Sequence, residues 1–154
     1  MPTIPYIENF SDWVDSFSYH HSITVRFSET DAFGHLNNTN VFVYFEEARI
    51  EFLKTLGLME RWMRQESESI LVTGDLQCDY LKQVFFDEKL DIYVKVATIG
   101  RTSADIHYMA KNEEGDVCFT GRGRIVQVSK QTNRSIAWDD AVKVALTGES
   151  IASK

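Results

Sequence analysis

The residue types best suited to chemistry gather in one short segment, Phe27-Ser28-Glu29-Thr30-Asp31-Ala32-Phe33-Gly34-His35-Leu36-Asn37-Asn38. It places a carboxylate, a flexible glycine, an imidazole and two carboxamides directly ahead of a helical pattern. A helix start carries unpaired backbone N–H groups and partial positive charge, so it can stabilise an oxyanion. A carboxylate held beside it can attack a carbonyl or activate water. Asp31 is the candidate for that role, with Asn38 near the amide donor and His35 and Asn37 as helpers. The plainer reading is that Asp31 and Asn37 cap the turn and the helix. His35 either orients Asp31 or contacts substrate, or is a turn histidine only. Glu29, two residues before Asp31, would raise the pKa of Asp31 if it shared the same face; an exposed strand-end charge is the reading expected for it.

Other routes are poorly supplied. The chain has no GxSxG elbow, Walker A loop, GxGxxG or HExxH. Gly121-Arg122-Gly123 is too short to cradle phosphate. Asp31 and His35 have no further His or Cys close in sequence, so no metal site is expected.

The elements around this segment can be read from periodicity. Before it, Ile23, Val25 and Phe27 alternate with polar residues, as in a strand with one buried face. After it, residues 41–57 carry a broad apolar stripe of helical period, with Asn37 to Asn40 as candidate caps. Lys54 suits the negative end of that helix, and Gly57 suits a left-handed closing residue. A short helix is expected over 58–66, with Leu58, Met59, Trp62 and Met63 on one face. Residues 70–81, 89–99, 103–111 and 116–128 alternate as strands. Their short connections at 100–102 and 112–115 make the last three an antiparallel meander.

This order predicts an α+β fold, with one long helix against a curved, antiparallel, five-stranded sheet. Residues 1–19 read as an aromatic N-terminal arm, 20–130 as the domain, and 131–154 as a tail with a short helix beginning near Asp139. One helix cannot cover both sheet faces, so a homodimer or homotetramer is expected.

Composition narrows the partners. The formal net charge of −7 makes nucleic acid or an anionic membrane an unsuitable general partner. No apolar run approaches the length of a membrane helix, and the N-terminal residues lack the pattern of a signal peptide. Cys78 and Cys118 belong to no CxxC pattern and read as free thiols, which fits the cytoplasm.

The segment 27–38, followed by Tyr44-Phe45-Glu46-Glu47-Ala48-Arg49, resembles the hot-dog thioesterases of the 4-hydroxybenzoyl-CoA thioesterase-like superfamily. The shared pattern is D-x-x-G-H-L-N-N ahead of a helix that includes E-E-A-R, and the likeness covers about residues 20–130. It implies a single hot-dog domain that hydrolyses an acyl-CoA. Asp31 would be its catalytic carboxylate, and a backbone N–H near Asn38 would polarise the carbonyl. The His35-Leu36-Asn37-Asn38 version is more similar to members acting on fatty acyl-CoA than to those acting on aromatic substrates. No cofactor is implied, because coenzyme A is part of the substrate. A thiolate leaves easily, so no strong general acid is essential.

Lys82, Arg101, Arg122 and Arg124 are the candidates for the CoA phosphates; each is otherwise a solvated strand charge. Glu46, Glu47 and Arg49 read as an ion-pair set along the helix. Two alternatives remain open: a thioesterase for acyl-carrier protein, which the acidic balance disfavours, and a non-catalytic acyl-CoA-binding module.

Overall fold

The computed structural model describes residues 3–148; residues 1–2 of the arm and 149–154 of the tail lie outside this range. In chain order the elements are α1 (Phe10–Asp15), β1 (Tyr19–Thr24), a single 3-10 turn (Phe27–Glu29), α2 (Asn40–Thr55) and α3 (Leu58–Met63). They continue with β2 (Ser69–Tyr80), β3 (Lys89–Ile99), β4 (Ser103–Asn112), β5 (Val117–Ser129) and α4 (Asp140–Thr147). The five strands form one antiparallel sheet in the order β1-β3-β4-β5-β2. The expected α+β architecture is present, with β3, β4 and β5 as the meander. The two earliest strands occupy opposite edges, and α2 carries the chain between them across the sheet.

The helix lies unusually close to the strands at one point. Phe45 of α2 stacks on Tyr108 of β4, with ring centroids 4.4 Å apart at 14°. A Cβ on Gly121 of β5 would come within 2.2 Å of the Phe45 ring. Gly121 therefore belongs to helix packing. Gly123 is crowded from within the sheet instead: its Cβ would meet Leu76 of β2 at 2.6 Å. Gly57 has φ +75° and separates α2 from α3.

One strand differs from expectation. β1 spans Tyr19–Thr24, earlier than the alternation of residues 23–27 implies. Val25 is buried and still exchanges backbone bonds with Asp87 and Glu88, but the chain then turns, leaving Phe27 76% exposed. The 3-10 turn that follows brings Glu29 inward, where its carboxylate accepts from the Tyr44 hydroxyl.

The face of the sheet away from α2 is partly covered by the N-terminal arm. The Trp13 indole N–H donates to His107 Nδ1 at 2.9 Å, and the Tyr6 hydroxyl donates to Thr120 at 2.9 Å. Phe17 packs edge-on against Trp13, and the Lys95 ammonium lies over the Phe17 ring. At the far end, Trp62 of α3 bonds Gln127 and Trp138 bonds the Ser103 carbonyl, while Arg61 pairs with Asp139, the N-cap of α4. No helix of the described residues is long and apolar enough to cross a membrane.

Candidate active site

Residues 29–37 close on themselves as a small hairpin. The Asn37 N–H donates to the Glu29 carbonyl at 2.8 Å, and Thr30 bridges Leu36. Inside it, the Asp31 N–H donates to the His35 carbonyl at 2.8 Å, and the Gly34 N–H donates to the Asp31 carbonyl at 3.1 Å. Gly34 has φ +80° with open space where a Cβ would lie, so its backbone angle, not crowding, favours glycine there.

The Asp31 carboxylate is fixed on one side only. Its Oδ1 accepts from the backbone N–H groups of Phe33 at 2.9 Å and His35 at 3.2 Å. Its Oδ2 has no donor among the described residues. Asp31 thus shapes the turn, as the capping reading holds, and still presents a second oxygen.

Glu29 has the opposite environment. It is 7% exposed, and the exposed-charge reading does not hold. Oε1 accepts from the Arg26 N–H at 2.9 Å and the Tyr44 hydroxyl at 2.8 Å; Oε2 accepts from the Arg26 guanidinium at 3.3 Å. Burial pushes this carboxyl up, but those donors more than offset it and hold the group below its ordinary value. The Tyr44 hydroxyl is pushed up by burial and by the carboxylate it bonds, so it stays a proton donor.

The remaining loop residues are engaged through different atoms. His35 meets Asp31 through its backbone, while its ring lies edge-on against Phe85 at 5.1 Å. The Asn37 carboxamide oxygen accepts from the N–H and hydroxyl of Thr39 at 3.1 and 3.0 Å. Thr39 is the N-cap of α2 by position, yet its own side chain makes no capping bond. The Asn38 carbonyl accepts from the Tyr80 hydroxyl at 2.7 Å, and its N–H has no acceptor among the described residues. The Tyr80 hydroxyl ties the end of β2 to the helix start. Leu36 is tied to the following segment through the Val84 carbonyl at 2.7 Å.

Sequence reading did not single out Tyr44 or Tyr80. Tyr44 lies within the apolar stripe of residues 41–57 and Tyr80 near the end of the strand at 70–81, and neither pattern marks a hydroxyl with a role. Their hydroxyl partners lie far enough along the chain that no local pattern marks them. Phe27, Phe33, Phe85 and Phe86 are all exposed along this region, with Phe27 and Phe86 in edge-on contact at 5.9 Å.

The four basic candidates fall in different places. Arg122 is on the face away from α2, bound to both Asp105 oxygens and to Asp75 at 3.0 Å. Arg124 is exposed, with its guanidinium beside Gly74, and Arg101 is exposed at the sheet end, where its carbonyl accepts from the Trp138 N–H. Lys82 pairs with Asp116 at 2.6 Å and lines a cleft with Phe10, Tyr80 and Leu81. Only Lys82 lies on the segment between Tyr80 and Val84, both of which touch the loop. Along α2, Glu47 pairs with His21 at 2.7 Å and Arg49 donates to Tyr108 at 3.2 Å, so these charges serve the sheet rather than each other. Among the described residues, no group of three or more His, Cys, Asp or Glu is arranged to hold a metal ion.

Residues 25–146 match the family model of the thioesterase-like superfamily. The chain belongs to this superfamily. An uncharacterised Bacillus subtilis protein, YsmA, is 44% identical over 137 residues, 89% of this chain and 90% of its own. The acyl-CoA thioesterase YbgC of Haemophilus influenzae is 27% identical over 77 residues, half of this chain and 57% of its own. Among solved structures, a DHNA-CoA thioesterase from Staphylococcus aureus superposes with a TM-score of 0.72 at 24% identity, over 86% of this chain and 95% of that one. The superfamily member described here therefore has the hot-dog fold, and its membership supports thioester hydrolysis as the general chemistry.

Proposed function

We propose that the protein hydrolyses an acyl-CoA, releasing a free acid and coenzyme A, with Asp31 as the reacting carboxylate. The observation that carries this reading is the half-satisfied state of Asp31. Two backbone N–H groups fix Oδ1 and leave Oδ2 open, on a loop followed by Asn38, whose N–H has no acceptor among the described residues. A thioester carbonyl polarised by that N–H and the start of α2 would develop its negative charge where donors are already oriented. Asp31 then either takes a proton from the attacking water or attacks the carbonyl itself. Of the two we favour the water route, in which Oδ2 accepts the proton of the attacking water. The leaving thiolate needs no strong acid, and coenzyme A enters with the substrate, so the reaction calls on no metal or redox cofactor.

His35 and Asn37 contribute through the backbone and through capping, which hold Asp31 and Asn38 in place. Lys82 is the preferred contact for a CoA phosphate, with Arg101 and Arg124 as exposed alternatives; Arg122 would first have to leave two carboxylates. The exposed phenylalanines fit an aliphatic acyl chain, in line with the fatty acyl reading. Two copies would pair along β2, an edge strand that leaves Ile70, Val72, Leu76 and Tyr80 substantially exposed. A reducing compartment such as the cytoplasm suits the free thiols of Cys78 and Cys118.

The test is a panel of acetyl-, octanoyl-, palmitoyl- and benzoyl-CoA, with released thiol measured for the wild type and Asp31→Asn. Turnover of at least one substrate, lost in the variant, is expected. Binding without turnover would instead favour an acyl-CoA-binding module. In a single turnover in oxygen-18 water, label in the Asp31 carboxylate would establish the anhydride route.

A further inference from the structure

We infer that Glu29 is a positioning residue for the reaction: its buried carboxylate locks the Asp31 hairpin onto α2. The inference rests on the reading of Asp31 as the reacting group. Glu29 stands at the mouth of the hairpin, where its carbonyl receives the Asn37 N–H at 2.8 Å. Through its side chain the same residue holds the Tyr44 hydroxyl, which comes from α2 and is itself 3% exposed. It also holds the Arg26 N–H, which fixes the chain entering the 3-10 turn. One side chain thus joins the strand exit, the hairpin and the helix whose N-terminus carries the Asn38 donor.

Asp31 lies inside that hairpin and Asn38 directly after its closing pair, so their relative placement depends on how the mouth is held. A carboxylate is well suited to this task. It accepts several donors at once, and those bonds are stronger than neutral ones. An unpaired tyrosine hydroxyl left at the same depth would be unfavourable, so removing the carboxylate disturbs its partners too. Glu29 does not face outward among the exposed phenylalanines, and it needs no contact with substrate to act.

The prediction separates geometry from binding. A displacement near 1 Å at a reacting group costs on the order of 100-fold in rate, while contacts that only hold substrate are untouched. Glu29→Ala is expected to lower kcat by about 30- to 100-fold with KM within about twofold of wild type. Glu29→Gln keeps an oxygen for both Arg26 N–H and Tyr44, so it should restore kcat to within roughly fivefold. Tyr44→Phe should fall between the two. Amide exchange at Asn37 reads the same lock without substrate and should quicken in Glu29→Ala and Tyr44→Phe.

The assay uses the full chain and the fastest substrate of the panel, with Asp31→Asn alongside. Wild-type kcat in Glu29→Ala, with Asp31→Asn inactive, overturns the positioning role and leaves the hydrolase reading standing. If Asp31→Asn retains turnover, that reading fails first and the inference with it. Should Glu29→Ala not fold, Glu29→Gln and Tyr44→Phe decide. A loss of kcat in Tyr44→Phe larger than in Glu29→Gln, with KM held and faster Asn37 exchange, supports the role. Wild-type kcat in both variants overturns it.

Discussion

Two polar clusters flank the sheet, and they resolve their charges in opposite ways. On the face away from α2, the Trp13 indole N–H donates to His107 Nδ1, His107 Nε2 contacts Asp105 at 3.1 Å, and Asp105 grips Arg122, which also holds Asp75. Every member has a partner within the protein. Around the hairpin, Glu29 is buried and fully bonded, but among the described residues one Asp31 oxygen has no donor and the Asn38 N–H has no acceptor. The larger ionic network is the closed one, and closed networks hold structure. Chemistry needs a carboxylate that stays charged and oriented while part of it remains available to a ligand.

The sharpest way to break this comparison is to exchange carboxylates for carboxamides. Asp31→Asn should fold with an unchanged thermal midpoint and lose at least about 100-fold in kcat, the scale of losing a general base. Near-wild-type turnover would remove the distinction between the clusters. Cutting the closed network should have the converse effect. Arg122→Ala leaves Asp105 and Asp75 without their guanidinium, and because Asp75 is well exposed the cost should be about 1–3 kcal/mol, short of a fully buried pair. Urea denaturation should show it as a lower midpoint, with kcat within twofold; a selective loss of kcat would place Arg122 in the chemistry.

A smaller effect should appear with pH. Burial lowers the affinity of His107 for a proton, with Lys95 and Arg122 acting in the same direction against Asp105. Its folded pKa therefore lies below its unfolded value near 6.5. The associated stability is complete above pH ~6.5 and is lost as the pH falls through the folded value. Protonation also removes the acceptor that Nδ1 offers to Trp13. Thermal midpoints measured from pH 8 to pH 5 should decline, and His107→Gln should flatten that decline without altering kcat at neutral pH. An unchanged slope would mean that His107 does not govern the arm.

The smallest effect is expected at Lys82. Lys82→Ala should raise KM for acyl-CoA by a few fold, more at low salt than at high salt, because an exposed cation is screened over ~10 Å at 0.1 M. Arg122→Ala should leave KM unchanged. The reverse pattern would move the CoA contact to the outer face.

How much of this was legible varies by residue. The meander of β3, β4 and β5 was readable because alternation and short connections act over a few positions. The long helix was readable for the same reason, down to Gly57 at its end. The hairpin was legible as a place, since its glycine, carboxylate and carboxamides crowd together ahead of an apolar stripe. Which of its two acids is enclosed was not legible. Glu29 meets Tyr44 fifteen residues later, and Asn38 meets Tyr80 forty-two residues later. The two glycines around Arg122 have packing meaning only once Phe45 and Leu76 lie against them. By itself, then, the sequence determined the order of the elements, most of their bounds though not those of β1, and the segment that carries the candidate chemistry, because periodicity and turn residues are local. The burial of Glu29, the exposure of Asp31 Oδ2 and the pairing of Arg122 were decided only by tertiary structure, because each depends on a partner brought close by the folded chain.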